Sequence, residues 1–304
     1  MKVCFIGVGS IAKRHIKNLK SIMGDEVTID VYRHSGGEIF PNVNCQYTDL
    51  ESIPSDYDAI FITNPTSMHM GTLEKVANKS NYFFIEKPVR TLRHMGILSE
   101  SIPNIEKNKV CYVACPLRYT RVIQYLKREI DWNKVYSLRA ISSSYLPDWR
   151  PNTDYRDGYS ARKELGGGVA SDLIHEWDYI SYLIGLPKRV FHLEKKVSNL
   201  DISAEDVALY IGEYDDKTVE IHLDYFGREE IRNIEIFTSE ETIQADLVQN
   251  RICYLRSGKM IQFEEERDDY QIEELRHFFD ICRGEIDNDN DIVYADKLMS
   301  LLED

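Results

Sequence analysis

No stretch of this 304-residue chain stays apolar for the ~18 residues of a membrane-spanning helix, so no segment reads as a transmembrane span. Basic residues are in deficit. The 37 Lys and Arg against 51 Asp and Glu leave a formal net charge of −14, which argues against a nucleic-acid binder with its basic stripe. Cysteine is sparse: Cys4, Cys45, Cys111, Cys115, Cys253 and Cys282 are scattered with no C-x-x-C pair, and no metal site is expected. Met1–Gly7 reaches a glycine too soon to form a signal-peptide core. With that cysteine pattern, a cytoplasmic location is expected. Repeats and low-complexity linkers are missing as well.

What is present is an ordinary globular composition, 43% hydrophobic and 29% charged, at a length suited to two domains. The charge is uneven. Residues 1–118 carry 14 basic and 12 acidic side chains, and the rest carry 23 and 39, so nearly all the negative charge lies in the second part. In the first part, apolar runs at Val3–Ile6, Val27–Tyr32, Ala59–Thr63, Tyr82–Ile85 and Val110–Ala114 alternate with helical spacings near Ile11–Ser21, Ser67–Asn78 and Thr91–Ser101. Near-continuous apolar strands separated by helices predict an α/β domain with a parallel, doubly wound sheet covered on both faces. Beyond it come a helix at Thr120–Ile130, a polar, aromatic and Gly-rich stretch at Tyr145–Gly168, and a helix at Val169–Ile184 stopped by Gly185-Leu186-Pro187. Alternating segments from Arg189 to about Phe263 and two helices near Tyr270–Cys282 and Ile292–Leu302 complete the chain. The expectation is a dinucleotide-binding domain at 1–118 and an α+β domain at 119–304 with a mainly antiparallel open sheet.

Gly7-Val8-Gly9-Ser10-Ile11-Ala12 is a G-x-G-x-x-A between a strand and a helix. Gly7 suits the tight turn, Gly9 the close approach of a pyrophosphate, and Ala12 close helix–strand packing. The amides around Gly9, Ser10 and Ile11 would meet the phosphates at a helix N-terminus. The second strand ends in Tyr32-Arg33-His34-Ser35, and Asp30 falls too early to hold a ribose 2′-hydroxyl. Arg33 and Ser35 suit a 2′-phosphate, which favours NADP, with NAD as the alternative. Thr63-Asn64-Pro65-Thr66-Ser67-Met68-His69 follows another strand, where Thr63, Asn64 and His69 would line the cofactor. Glu86-Lys87-Pro88 ends the next strand; proline fixes the backbone beside an ammonium able to stabilise alkoxide character, and Glu86 would bond cofactor or lysine.

These motifs resemble the glucose-fructose oxidoreductase / inositol dehydrogenase / rhizopine-catabolism (Gfo/Idh/MocA) family. Leu117-Arg118-Tyr119 is similar to its R-F/R-Y element. Gly166-Gly167-Gly168-Val169-Ala170-Ser171-Asp172-Leu173-Ile174-His175-Glu176-Trp177-Asp178 is similar to its G-G-G-x-x-x-D…H-x-x-D helix. The matches fall in family order over about the first 190 residues. The resemblance implies an NAD(P)-dependent oxidoreductase acting on a CH–OH group of a sugar-like substrate, with Lys87, Asp172 and His175 catalytic. It also implies a homodimer or homotetramer through the C-terminal sheet. The family usually spaces the aspartate and histidine four apart; here the interval is three, and Glu176 competes for the histidine slot. Arg118, Tyr159 and Lys163 are expected at the substrate, the last two from the aromatic and charged loop at 149–165. Tyr159–Gly168 resembles members associated with bacterial surface-sugar synthesis. Two alternatives stay open: a relative running an internal redox cycle on a tightly held cofactor, and a cofactor-binding regulator without catalysis, against which Lys87 and His175 argue.

Overall fold

The computed structural model describes residues 1–35, 40–92 and 101–303. It divides into two compact units, Met1–Pro116 with Arg267–Lys297, and Leu117–Glu266 with Leu298–Asp304.

In the first unit, β1 (Lys2–Ile6), β2 (Thr28–Tyr32), β3 (Cys45–Tyr47), β4 (Ala59–Ile62), β5 (Tyr82–Ile85) and β6 (Val110–Val113) form a parallel sheet in the order β3-β2-β1-β4-β5-β6. Helix α1 (Ser10–Met23) joins β1 to β2, α2 (His69–Val76) joins β4 to β5, and α3 (Ser101–Asn108) leads into β6. The strand order reverses direction at β1. Right-handed crossovers then put α1 on one face and α2 and α3 on the other, and leave a crevice between the carboxyl ends of β1 and β4. The doubly wound sheet expected from the apolar runs is the one observed. Of the helix expected at Thr91–Ser101, residues 93–100 lie outside the described residues. Edge strand β3 (Cys-Gln-Tyr) is too short and polar to announce itself in a hydrophobic pattern.

The second unit holds α4 (Arg121–Glu129), α5 (Val169–Asp172), α6 (His175–Ile184) and eight strands. These are β7 (Val135–Tyr145), β8 (Arg189–Lys195), β9 (Val207–Glu213), β10 (Thr218–Asp224), β11 (Phe226–Thr238), β12 (Thr242–Asp246), β13 (Arg251–Tyr254) and β14 (Met260–Gln262). They pair in the order β14-β13-β12-β11-β7-β10-β9-β8, antiparallel except for β7 with β10. Helices α5 and α6 pack on one face, where Trp177 rests against Gly212 of β9. The other face exposes Tyr136, Phe191, Leu193 and Ile211. Strand β7 was not expected, because Ser142-Ser143-Ser144 interrupts its apolar alternation. The fold uses all three hydroxyls: Arg232 donates to Ser142, Ser143 donates to Asp224, and Trp149 donates to Ser144.

Two expectations are corrected. The helix at Val169–Ile184 is broken at Leu173-Ile174 into α5 and α6. A single domain cut after residue 118 also fails, because α7 (Arg267–Cys282) and the first half of α8 (Ile292–Glu303), up to Lys297, return to the first unit. A sheet apolar on both faces needs cover on both. Leu275, Phe278, Phe279 and Ile281 of α7 join Ala12, Ile16 and Leu19 of α1 over Val3, Phe5, Val31, Phe61, Phe84 and Tyr112. The Phe278 ring meets Phe61 and Phe84 edge-on, with centroids 5.8 and 5.4 Å away. Phe278→Ala is therefore expected to cost about 3–5 kcal/mol by urea unfolding, as deletion of a fully buried aromatic does.

Candidate active site

The carboxyl rim of the parallel sheet is wired together around the β1–β4 crevice. Gly7 has φ 101°, and a Cβ there would stand 2.7 Å from the backbone of Asn64, so glycine is required twice over. Thr63 Oγ1 donates to the Gly7 carbonyl at 2.9 Å, and Asn64 Nδ2 donates to Thr72 Oγ1 at 2.7 Å. Gly9 is different. It caps α1 with an ordinary φ of −77°, and a Cβ there would meet nothing within 4 Å. The protein itself therefore gives no reason for glycine at position 9. The first turn of α1 has no side-chain cap and no acidic residue, and Asn64 Oδ1 is buried with no hydrogen-bond partner. Open space, a bare helix N-terminus with its positive dipole end, and an orphaned polar atom fit a dinucleotide in this crevice. Ser10 is exposed and Ile11 half-buried at the same turn.

Arg33 and Ser35 follow the end of β2. The Arg33 N–H donates to the Tyr47 carbonyl, and among the described residues its guanidinium makes no ion pair. Asp30 is buried and accepts from Tyr57 Oη at 2.7 Å, so it is structural, as its early position suggested. His69 is corrected. It is buried, with Nδ1 3.0 Å from the Pro88 carbonyl and Nε2 2.9 Å from the Asn64 carbonyl. It is thus a strut between the β4 and β5 ends, with both ring nitrogens occupied by backbone. Burial pulls its pKa below the ordinary value, and the two carbonyls and Glu86 offset this in part. Glu86 Oε1 lies 2.6 Å from Nε2 of buried His15 on α1, a partner the sequence did not advertise. Lys87 is half-buried beyond Glu86, and the Lys87–Pro88 peptide is cis.

In the second unit, Asp172 ends α5 and His175 begins α6, both half-buried. Tyr225 Oη donates to Asp172 Oδ2 at 2.6 Å, with Trp149 packed edge-on against its ring. Burial holds the Tyr225 hydroxyl well above its ordinary pKa, reinforced by Asp172, Glu205 and Tyr159. Tyr225 keeps its proton and stays a donor to the carboxylate. No motif pointed to it. Tyr159 Oη donates to the Gly166 carbonyl at 2.7 Å and lies 3.4 Å from Ser171 Oγ, so it belongs to the Asp172 cluster. Lys163 is exposed, and its backbone N–H donates to Ser203 Oγ.

Glu176 and Arg118 are built into the unit's interior. Glu176 is 0% exposed and accepts from Arg232 Nε of β11 at 2.8 Å, which leaves His175 as the outward candidate. Burial pushes the Glu176 carboxyl up, against the pull of Arg232. Arg118, expected at the substrate, is 1% exposed. Its Nη2 and Nε lie 2.5 and 2.9 Å from Asp178 Oδ1 and Oδ2. A buried guanidinium must have its charge compensated, and Asp178, the last residue of H-x-x-D, does this. Among the described residues no His, Cys, Asp and Glu cluster is placed to hold a metal, and no helix is long and apolar enough to cross a membrane.

Residues 1–114 match the model of the GFO_IDH_MocA oxidoreductase family, NAD-binding Rossmann fold. The match covers the first third of the chain, and over it the chain is similar to the Gfo/Idh/MocA family. It is similar to an inositol 2-dehydrogenase/D-chiro-inositol 3-dehydrogenase of Lacticaseibacillus casei, 24% identical over 192 residues, covering 60% of this chain and 53% of that one. The matches span about half the length of such curated relatives. Two solved structures share the fold. An oxidoreductase from Thermotoga maritima has a TM-score of 0.80 at 18% identity, covering 100% of this chain and 94% of that one. The WlbA dehydrogenase from Bordetella pertussis, in complex with NADH and UDP-GlcNAcA, has a TM-score of 0.77 at 17% identity, covering 99% and 94%.

The two glycines should separate cleanly. Gly7→Ala is expected to lower stability by about 2–4 kcal/mol through backbone strain and collision with Asn64. Gly9→Ala should stay within about 0.5 kcal/mol of the parent in urea yet weaken NADH binding at least about tenfold by fluorescence titration. The buried imidazole makes a pH prediction. His69 has a lowered folded-state pKa, so the unfolded chain binds more protons below the ordinary value of about 6.5. Its contribution is complete above that pH and declines as pH falls. The stability advantage of the parent over His69→Gln should therefore shrink below pH ~6.5 in unfolding curves.

Proposed function

We propose that this protein is an NAD(P)-dependent dehydrogenase or reductase acting on a CH–OH or carbonyl group of a sugar-like substrate. The observation that carries this reading is the vacant side-chain position of Gly9 at the mouth of the β1–β4 crevice, two strands' ends from Lys87. The family-model match over residues 1–114 and the similarity to an inositol dehydrogenase support it. Bound nicotinamide would exchange a hydride with the carbinol carbon. Lys87 stabilises negative charge developing on the substrate oxygen. His175 takes the hydroxyl proton in oxidation and returns it in reduction, a task suited to an imidazole. Asp172, fixed by the Tyr225 hydroxyl, orients substrate or histidine. Tyr159 and Lys163 contribute to the substrate wall. Arg118 holds Asp178 and α6 instead.

NADP is the preferred cofactor in this proposal, with Arg33 and Ser35 meeting the 2′-phosphate. A nucleotide or amino sugar of bacterial surface-sugar synthesis is the favoured substrate class, in keeping with the sugar-nucleotide complex of the WlbA dehydrogenase. The proposal includes a cytoplasmic location and a homodimer or homotetramer through the open sheet face, where Tyr136, Phe191, Leu193 and Ile211 are exposed.

Lys87→Ala should lower kcat by at least ~10²–10³-fold while NADPH affinity changes little. Arg33→Ala should cost about tenfold or more in NADPH affinity with little effect on NADH. Stopped-time assays over a sugar-nucleotide panel and nicotinamide fluorescence check both. Full turnover by Lys87→Ala would overturn the catalytic assignment.

A further inference from the structure

A cavity of about 470 Å³ opens in the second unit, lined by Tyr145, Tyr155, Asn199, Leu200, Phe226 and Arg228. Its size is that of a small-molecule site. Strand alternation places its Tyr145 and Phe226 on the face of the sheet opposite Asp172, while Tyr155 and residues 197–200 wall it from the sheet's end. Ser142 pairs in register with Arg232, and Arg232 bonds Glu176 of α6, so position 142 faces the helices. Ser144 faces the same way, since it accepts from Trp149, which packs on the Tyr225 that holds Asp172. Tyr145 is one residue further on and points to the opposite face, with Phe226 as its register partner.

The lining is aromatic and rich in donors. The Arg228 guanidinium lies over the Tyr145 ring, its Cζ 3.8 Å from the centroid, which fixes the group while leaving its N–H edge open. Among the described residues it makes no ion pair, although Glu229 and Glu230 follow it in sequence, and the Asn199 amide makes no hydrogen bond. Tyr155 Oη accepts from the Asp201 N–H at 3.1 Å and keeps its own hydrogen to donate. Ser198 at the same wall is already committed to Asp206. A guanidinium, an amide and a phenol beside three rings match a ligand with an anionic group on a compact ring.

We propose that this cavity is a second ligand site, separate from the dehydrogenase machinery, for a small ring compound carrying a phosphate or carboxylate. The anion sits on Arg228 and Asn199, and the ring lies against Phe226 and Tyr155. This does not rest on the redox reading.

Calorimetric titration of the full chain with glucose 1-phosphate, glucuronate and uridine monophosphate, with glucose as the neutral control, tests it and separates the sources of the anion. At least one anionic probe should bind saturably, and glucose should bind at least tenfold more weakly. Arg228→Gln should raise that probe's Kd about tenfold, the loss of one charge-assisted contact, whereas Asp172→Asn should leave it unchanged. Arg228 is exposed, so its replacement spares the fold. No saturable binding by any anionic probe, glucose binding as tightly, an unchanged Kd in Arg228→Gln, or a Kd that follows Asp172 instead would each overturn the proposal.

Discussion

The crevice in the first unit depends on one close approach, the backbone of Asn64 pressed against Gly7. A side chain at position 7 would hold β1 and β4 apart at the point where the sheet changes direction. With glycine there, Thr63 reaches the Gly7 carbonyl, and the loop carrying Asn64 comes close enough for His69 to bridge it to Pro88. Glu86 in turn reaches back to His15 on α1. Three strand ends and a helix are thereby fixed to one another before any ligand arrives. A binding site built this way loses little entropy on binding, since its groups are already ordered.

The second unit achieves the same rigidity with buried charge. Arg118 with Asp178 and Arg232 with Glu176 are both taken almost wholly out of water, and both involve α6. Desolvation makes such pairs weak contributors to net stability, but removing one partner strands the other at a cost of about 3–5 kcal/mol. The arrangement is consequently better at fixing where α6 lies than at holding the unit folded.

The strands of the first unit were legible because a sheet buried on both faces leaves an apolar run at each strand, and the glycine motif could be placed because it follows the first of them. Strand β7 was not legible, because its three serines look like a loop until their partners on β10, β11 and the 145–168 segment are known. The return of α7 was equally hidden: its apolar positions show a helix face but not which sheet it covers. Motif residues exposed a further limit. Arg118 and His69 carry the right chemistry at the right places for ligand contact, yet burial assigns them to Asp178 and to two backbone carbonyls. Sequence spacing shows which groups gather near a site and says little about which way each one faces. Tyr225, the donor to Asp172, left no signal at all, being one more aromatic residue at a strand end.

The three-residue interval between Asp172 and His175 shows how this plays out locally. In a continuous helix, Glu176 would stand one turn after Asp172 and compete with His175 for the same face. The chain instead leaves helical geometry at Leu173, where φ is −99° and ψ is 30°, and restarts at His175. Asp172, the last residue of α5, is thereby freed from the register of α6 and is held by Tyr225. Glu176, one position into the new helix, turns inward, where Arg232 waits. The break thus converts what looks like a deletion in the motif into a change of register, with the carboxylate at 176 holding the helix on the sheet and His175 half-buried at the helix start.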